Sequence, residues 1–395
     1  MALHSNPSSL HTVQQGRGYG APQREAGTPA LLPRRAPTVS GGGSSQAQGG
    51  GAGGPFTTVR AFLSSPFVWI GTAVSIAAIA LTIRGLHVRD VADAMGETNI
   101  GWLALAVAAA LVSYYPRVKR WRVLFYPTGI RSDGDLFGAI TVGYMLNNLL
   151  PLRVGELGRA FVIGRTEGIA SIQALSTILV ERLLDILVLF AVLMVLLPFV
   201  DEPGWATGVA LVLGFGALVF TVVLAVAAIA RHRVAAVLKP LFRRAPERQR
   251  DRLERWLDAG LAGLVILSHP RVLVKALFWS VAGWGVSSVF VYGCLMSLGI
   301  HLSYAAPVFV MVAVNLGMAV PSSSGYVGVY HAIVIEALTE VFSVNRERAA
   351  ALAIVTHGVF YVMPVLLGAA YLWRRRELWR ELLPGVLRIG EQQPR

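Results

Sequence analysis

The sequence predicts an all-α integral membrane protein with about six full transmembrane helices and two inverted, re-entrant broken-helix hairpins. Hydrophobic residues make up 54% of the 395 residues and charged residues only 14%, whereas a soluble domain usually carries about 25% charged residues. Mean hydropathy is +0.58. Long apolar runs follow one another from residue 66, and Lys and Arg collect in particular connections between them. These features indicate a chain that uses lipid as its solvent.

Residues 1–54 form a segment of different composition, rich in Gly, Ser, Pro and Gln, with Gly triplets at 41–43 and 49–51. Such a segment cannot bury enough apolar area to offset its ordering entropy. We therefore predict a disordered cytoplasmic tail over residues 1–54. A membrane domain over residues 55–376 and a short cytoplasmic tail over residues 377–395 follow it.

The apolar runs differ in length, and a helix needs about 20 apolar residues to cross ~30 Å of hydrocarbon. Several runs meet that requirement and several do not. In chain order they cover residues 66–84, 101–116, 136–150, 171–199, 204–230, 276–298, 305–320, 326–342 and 349–373.

The basic residues predict which connections face the cytoplasm. Residues 117–135 hold five Lys and Arg, residues 231–275 hold eleven, and three arginines at 374–376 follow the last run. These segments should lie inside, which places both termini on the cytoplasmic side of the cell membrane. The outward connections, which together hold only Arg89, are 85–100, 200–204 and 299–304.

The number of membrane crossings between inside and outside connections then predicts the two hairpins. One full crossing, over residues 171–199, separates an inside connection from an outside one, so residues 136–170 should leave and return on the cytoplasmic side. The same reasoning makes residues 305–348 a hairpin from the opposite face, with two short spans as the alternative. Inverted broken segments of this kind are typical of a transport site near the middle of the bilayer.

The segment 231–270 combines its basic residues with apolar ones at helical spacing. This pattern predicts an amphipathic helix at the membrane interface, with a solvated cytoplasmic loop as the alternative. The apolar positions are Leu253, Trp256, Leu257, Leu261, Leu264 and Val265.

The first hairpin contains candidate binding residues. Pro151 should end the entering helix, and Gly155 allows close backbone approach. Arg153 and Arg159 are candidates for a lipid phosphate, because a planar guanidinium binds two oxygens; arginines that only reach towards the interface are the alternative. Glu156 should pair with one of them. Asn148 completes the motif.

Three charged residues interrupt the run at 171–199, namely Glu181, Arg182 and Asp185. Ionisable residues within a membrane segment indicate function by default. If the last ~20 residues of the run fill the hydrocarbon, these three lie near the cytoplasmic edge. Two roles then remain for these residues, namely contact with the substrate or a structural ion pair that anchors the first hairpin.

The second hairpin breaks at a Pro-Ser segment, and helix N-termini after such a break bind anions. His357 in the last run is expected to face it, although a histidine in an apolar helix is commonly a packing residue. The candidate binding residues here are Asn315, Pro321, Ser322, Ser323, Gly325, Tyr326, Gly328 and His331.

The remaining composition argues against several other classes of function. The net charge of +13 is spread between apolar segments, which predicts membrane lipids as partners and not nucleic acid. Anionic phospholipid and lipid-linked sugar are the expected lipids. The sequence contains no metal-ligand spacing, nucleophile elbow, phosphate loop or Rossmann glycines, so no cofactor and no metal is predicted.

Three motifs resemble the flippase-like membrane family of the lysylphosphatidylglycerol synthase transmembrane region, over about residues 66 to 375. They are Asn148-x-x-Pro151-x-x-x-Gly155-Glu156-x-x-Arg159, then Glu181-Arg182-x-x-Asp185, then Pro321-Ser-Ser-x-Gly325-Tyr-Val-Gly328. The resemblance implies a protein that moves or presents a lipid between leaflets. In the synthase a separate soluble domain aminoacylates the lipid. This chain is expected to correspond to the membrane part alone.

The sequence therefore allows three functions. The first is a lipid flippase or transporter. The second is an accessory membrane subunit of a glycolipid or lipid-modification pathway, with a soluble or membrane enzyme as its partner. The third is an intramembrane enzyme that acts on a lipid phosphate, with Glu156, Glu181 or His331 as acid or base.

Overall fold

The structure is a computed structural model that describes residues 66–84, 86–126, 128–130, 132–150, 154–200, 204–244, 246–318 and 323–387. The predicted tail over residues 1–54 lies outside the described residues, as do Pro151, Arg153, Pro321 and Ser322 of the candidate site. The described residues form helices and turns without a strand, which confirms the all-α prediction.

The helices follow the apolar runs of the sequence. In chain order they are α1 (Pro66–Ile83), α2 (Val88–Gly96), α3 (Ile100–Val112), α4 (Tyr114–Leu124), α5 (Asp133–Leu149), α6 (Gly155–Glu167), α7 (Ser171–Leu196), α8 (Gly204–Ile229), α9 (Arg231–Leu238), α10 (Glu247–Leu264), α11 (Pro270–Ser297), α12 (Ala305–Gly317), α13 (Val329–Phe342), α14 (Arg346–Arg374) and α15 (Arg376–Leu387).

Within the described residues, four helical segments are long and apolar enough to cross a membrane. They are Ile100–Leu124 (α3 with α4), Pro270–Ser297, Ser324–Phe342 and Arg346–Arg374, and a bent pair, Gly214–Ile229 with Arg231–Phe242, raises the number to five. Helix α7 has 26 residues and an apolar composition interrupted by three charges. These helices make the chain a multi-pass membrane protein, while the number of six full spans stays a prediction.

Helices α5 and α6 form an antiparallel pair, here called hairpin 1. At its tip the backbone N–H of Gly155 donates to Oδ1 of Asn147 over 2.8 Å, and at its base the N–H of Ser132 donates to Oε1 of Glu167 over 2.9 Å. A Cβ atom at position 155 would overlap the carbonyl oxygen of Gly143 and the Asn147 side chain. Glycine at 155 is therefore a condition for this close packing.

Helices α12 and α13 form a second antiparallel pair, here called hairpin 2. The rings of Phe309 and Phe342 pack against each other at its base, with their centres 5.8 Å apart. Its tip lies where the helix is broken, and there Gly325 and Gly328 have φ angles of 69° and 87°. Glycine adopts this left-handed conformation without the steric penalty that other residues meet.

The two hairpins lie at opposite ends of α7, α11 and α14. Hairpin 1 shares a buried core with α4, the first half of α7 and the end of α14. Hairpin 2 shares a second core with the last parts of α7 and α11 and the start of α14. Their re-entrant insertion stays a prediction, because Ser324–Phe342 is itself long enough to cross.

Two amphipathic helices cover the hairpin 1 end. Helix α10 forms where the basic interfacial helix was predicted, and its Leu261 and Leu264 are buried. Helix α15 lies in the segment that the sequence analysis treated only as a short tail. Its buried positions repeat at helical spacing and pack on α6 of hairpin 1; they are Leu378, Leu382 and Val386.

We predict that Gly155→Ala lowers the melting temperature of the purified protein, because the new methyl group overlaps α5. Overpacking of this kind typically costs about 1–3 kcal/mol. Gly216→Ala is the matched control, since a Cβ atom there meets nothing within 4 Å and alanine favours the helix. Equal melting temperatures for the two variants in one detergent would contradict the close approach at the tip.

Candidate functional site

A buried cluster of charges joins α7 to its neighbours. Both guanidinium Nη atoms of Arg159 donate to Glu181, over 3.1 and 2.6 Å. Arg120 donates to Glu181 over 2.6 Å and to Asp185 over 2.5 Å. The side chains of these four residues are at most 9% exposed. Together with Arg182 they are called the charge cluster below.

Aromatic and hydroxyl side chains surround the charge cluster. The guanidinium carbon of Arg159 lies 3.8 Å from the centre of the Trp121 ring, a favourable cation–π geometry. The indole N–H of Trp121 donates to Thr177 over 3.1 Å, and that of Trp284 donates to Asp185 over 3.1 Å. The cluster therefore binds α4, α6, α7 and α11 to one another.

Glu156 was predicted to pair with Arg153 or Arg159, and Arg159 is excluded because it reaches across to Glu181 on α7. The alternative partner, Arg153, lies outside the described residues. Oε2 of Glu156 is buried and has no hydrogen-bond partner among the described residues. Glu181 does anchor hairpin 1 through an ion pair, which was the structural alternative for this residue. Both of its oxygens are engaged, so it is poorly placed to act as acid or base.

The charge cluster lies near the middle of α7 (Ser171–Leu196), and its depth in the bilayer, near the cytoplasmic edge, stays a prediction. Arg120 belongs to the charge cluster although its sequence context, among other basic residues, indicated only membrane topology. Arg120 is only 5% exposed, whereas Arg117 and Arg122 are partly exposed. Arg120 is buried because the carboxylates of α7, distant in the sequence, pair with it, so the sequence around Arg120 does not predict its burial.

A second polar site lies midway along α14, where the tips of both hairpins meet. Pro364 has no N–H, so the carbonyl of Phe360 lacks its usual helical donor. The side-chain amide of Asn148, at the tip of hairpin 1, donates to the carbonyl oxygens of Phe360 and Tyr361 over 3.4 and 3.1 Å. Asn148 therefore satisfies a backbone group that the proline exposes.

The tip of hairpin 2 reaches the same part of α14. Nε2 of His357 donates to the carbonyl oxygen of Gly325 over 2.8 Å, so Nε2 carries the hydrogen. A Cβ atom on Gly325 would overlap the Tyr361 ring and lie 3.2 Å from the carbonyl oxygen of Asn148. Asn148, Gly325, His357, Phe360 and Tyr361 are called the junction below.

The structure brings only some of the remaining candidates to the junction. His331 meets His357 edge-on with ring centres 4.7 Å apart, as expected from the sequence. The N–H of Ser323 donates to Oγ of Ser75 on α1 over 2.9 Å, and Gly328 also packs on α1. Asn315 donates within its own helix, to the carbonyl of Met311.

Gly155, Glu156 and Tyr326 complete the described candidates. Gly155 and Glu156 begin α6, between the junction and the charge cluster. Tyr326 has a φ angle of 61° and belongs to the break of hairpin 2. Substrate contact by any candidate residue stays a prediction.

One further group of possible metal ligands lies at the surface of the described structure. Ligand atoms of His87, Asp90 and Glu347 lie within 4.8 Å of one another, and His87 and Asp90 are exposed. Exposed groups of this kind are common without an ion. The group lies outside the charge cluster and the junction.

The fold and the two sites define a class, namely a multi-pass α-helical membrane protein with charged and polar contacts inside its helix bundle. The chain belongs to the family of the lysylphosphatidylglycerol synthase TM region, whose sequence pattern matches residues 68–368. This confirms the resemblance that the three motifs suggested.

A curated relative is similar over much of the chain. Glycosyltransferase AglD of Haloferax volcanii is 24% identical over 319 residues, which cover 73% of this chain and 51% of AglD. The chain thus spans about half the length of that relative. No solved structure matches the chain significantly.

We predict that Arg159→Gln and Glu181→Gln each lower the melting temperature strongly, whereas Glu156→Gln changes it little. Breaking one partner of a buried ion pair costs about 3–5 kcal/mol, because the other charge stays buried without compensation. Glu156 makes no such bond among the described residues. A loss for Glu156→Gln as large as that for Arg159→Gln would contradict the observed pairing.

We also predict that Asn148→Ala destabilises the protein and that Pro364→Ala restores part of the loss in the same chain. A buried carbonyl without a partner costs about 1–3 kcal/mol, and alanine at 364 supplies an N–H for Phe360. Asn315→Ala is the control, since among the described residues its amide bonds within its own helix. Additive losses in the Asn148→Ala/Pro364→Ala double variant would disprove the link between Asn148 and the proline.

Proposed function

We propose that this protein binds a lipid with its headgroup among the polar residues of the two hairpins and moves it between the leaflets of the bilayer. The observation that carries the proposal is the junction, where two broken helix pairs from opposite ends meet midway along α14. Membership of the lysylphosphatidylglycerol synthase TM region family supports a lipid as the substrate.

The physical obstacle to lipid movement is the headgroup, because a polar or charged group in hydrocarbon is strongly unfavourable. A protein lowers this barrier when it offers polar groups along a path through the bilayer. The charge cluster near the middle of α7 and the junction midway along α14 offer such groups. Broken helices add free backbone N–H and C=O groups of the kind that bind substrates in transporters.

The proposed mechanism alternates access to the two ends. When the tips of hairpin 1 and hairpin 2 contact the same part of α14, they close the path between the ends. Withdrawal of one tip from α14 opens the path to one side while the other tip keeps it closed. Gly325 suits a moving tip, since its backbone adopts a φ angle of 69° that few other residues tolerate.

The proposed orientation follows the distribution of basic residues. Hairpin 1 enters from the cytoplasm and hairpin 2 from the opposite face of the cell membrane, with both termini cytoplasmic. The basic segment 231–275, which contains α9 and α10, lies against anionic headgroups on the cytoplasmic side. The substrate in this proposal is an anionic phospholipid or a lipid-linked sugar.

A second function is favoured by the relative named glycosyltransferase AglD. In that case the chain serves as an accessory membrane subunit of a glycolipid pathway and presents a lipid-linked sugar to an enzyme partner. Co-purification with a glycosyltransferase, combined with no lipid movement by the purified protein, would favour this function over transport.

We predict that the purified protein in liposomes accelerates movement of a fluorescent phosphatidylglycerol to the outer leaflet, where dithionite bleaches it. Gly325→Ala should slow this movement by about tenfold or more, because the added methyl group overlaps the Tyr361 ring. A tenfold change in rate corresponds to roughly 1.4 kcal/mol in the free-energy barrier.

Gly299→Ala is the matched control for that experiment. Gly299 has a similar φ angle of 64°, yet a Cβ atom there meets nothing within 4 Å. The strain from a positive φ is thus shared by both variants, and only Gly325→Ala disturbs the junction. Wild-type liposomes that bleach no further than protein-free ones would reject transport, and equal slowing in both variants would reject the role of the junction.

A further inference from the structure

We infer that Arg182 is the residue of the charge cluster that binds a phosphate group, and that Arg120 and Arg159 only hold the helices together. The inference deepens the proposed function, and rests on it in taking that phosphate to belong to a lipid headgroup. It moves the phosphate site from Arg159, a candidate that the sequence offered on hairpin 1, to Arg182 on α7.

The terminal Nη atoms of Arg120 and Arg159 are already occupied by carboxylates. Arg159 holds both oxygens of Glu181 with two hydrogen bonds, and Arg120 bridges Glu181 and Asp185. Their side chains are only 6% and 3% exposed. An incoming phosphate would have to displace these carboxylates and leave them buried without a partner, which is strongly unfavourable.

Arg182 differs from both in its contacts. Its nearest carboxylate oxygens, on Glu181 and Asp185, lie 3.7 and 3.6 Å away, which is longer than a hydrogen bond. Its Nε is buried without a hydrogen-bond partner among the described residues, as are the Nε atoms of Arg120 and Arg159, so the difference lies in the terminal Nη donors. Yet 39% of the side chain is exposed. Arg182 therefore keeps unused donors and an open side.

The charge balance of the cluster points the same way. Arg120 and Arg159 are matched by Glu181 and Asp185, which leaves Arg182 with Glu156, a carboxylate that attracts it without forming an ion pair with it among the described residues. Arg182 lies near the middle of α7, where the charge of an isolated arginine is costly if it faces hydrocarbon. A polar space or an anion on the open side of Arg182 would remove that cost.

The neighbours of Arg182 favour a lipid as the source of that anion. Leu179 lies one turn earlier on the same face of α7 and is 40% exposed. An exposed apolar side chain beside the guanidinium fits a molecule that is charged at one end and apolar at the other. Glu156 is close enough to attract Arg182 electrostatically, and would therefore compete with a bound phosphate.

The experiment compares dioleoyl phosphatidylglycerol with dioleoylglycerol, which has the same chains and no phosphate, for binding to the full-length protein in detergent micelles. We expect wild type to bind the phosphate-bearing lipid more tightly. Arg182→Gln should lose about tenfold or more of that preference. Arg182→Lys should keep part of it, because lysine retains the charge without the planar fork.

Further variants separate the phosphate site from effects on folding. Arg346→Gln removes an arginine of similar exposure, 31%, at the start of α14 and outside the basic segment 231–275, and should keep the full preference. Glu156→Gln should keep or increase it, because a competing negative charge is removed. If Arg182→Gln melts well below wild type, the test uses Arg182→Lys and Glu156→Gln instead. A reduced preference of Glu156→Gln for phosphatidylglycerol would overturn the proposal.

An unchanged preference in a folded Arg182→Gln would also overturn it. Inorganic phosphate, added as a competitor, distinguishes the source of the anion. If it displaces phosphatidylglycerol at equal concentration, the site takes free phosphate and the lipid assignment fails. Transport is tested separately in liposomes, so a protein that moves no lipid yet shows the Arg182-dependent preference would refute transport and retain this site.

Discussion

Inside a bilayer no water is available to hydrogen-bond an exposed peptide group, so each interruption of a helix has to be satisfied by the protein itself. This chain interrupts its helices at two hairpin tips and at Pro364. Asn147 satisfies the tip of hairpin 1, Asn148 satisfies the carbonyl that the proline exposes, and His357 binds the carbonyl of Gly325. The middle of α14 is thus the shared partner of both tips, and this requirement determines where the hairpins meet.

Charges within the bundle impose a comparable requirement on hairpin 1. A buried ion pair is weak evidence of net stabilisation, because desolvation offsets most of the attraction. Removing one partner is nevertheless costly, so Arg159 and Glu181 fix α6 against α7 once both are buried. The cluster therefore determines where α6 lies against α7 more than it raises the stability of the fold. The accurate placement of hairpin 1 is what sets Arg182 apart as the arginine with an open side.

The sequence predicted the elements better than their contacts. Apolar runs located the helices, and the described helices end at Leu149 and Gly317, close to where both breaks were predicted. The amide of Asn148, however, bonds to Tyr361, 213 positions away, and no local pattern specifies such a partner. Arg120 likewise looked like one more cytoplasmic charge. Helix α15 did carry a signal, the spacing of its buried leucines, which the emphasis on transmembrane runs overlooked.

The two sites hold hairpin 1 with unequal strength. At its tip, Asn148 makes neutral hydrogen bonds to α14, each of which contributes about 0.5–1.5 kcal/mol net. Further along α6, Arg159 is held by a buried ion pair whose disruption costs about 3–5 kcal/mol. A movement of hairpin 1 would therefore release the tip first and turn about the charge cluster. In the transport that we propose, such a movement would open the junction while Arg182 keeps its place on α7, so that a headgroup bound to Arg182 would stay bound as the path opens.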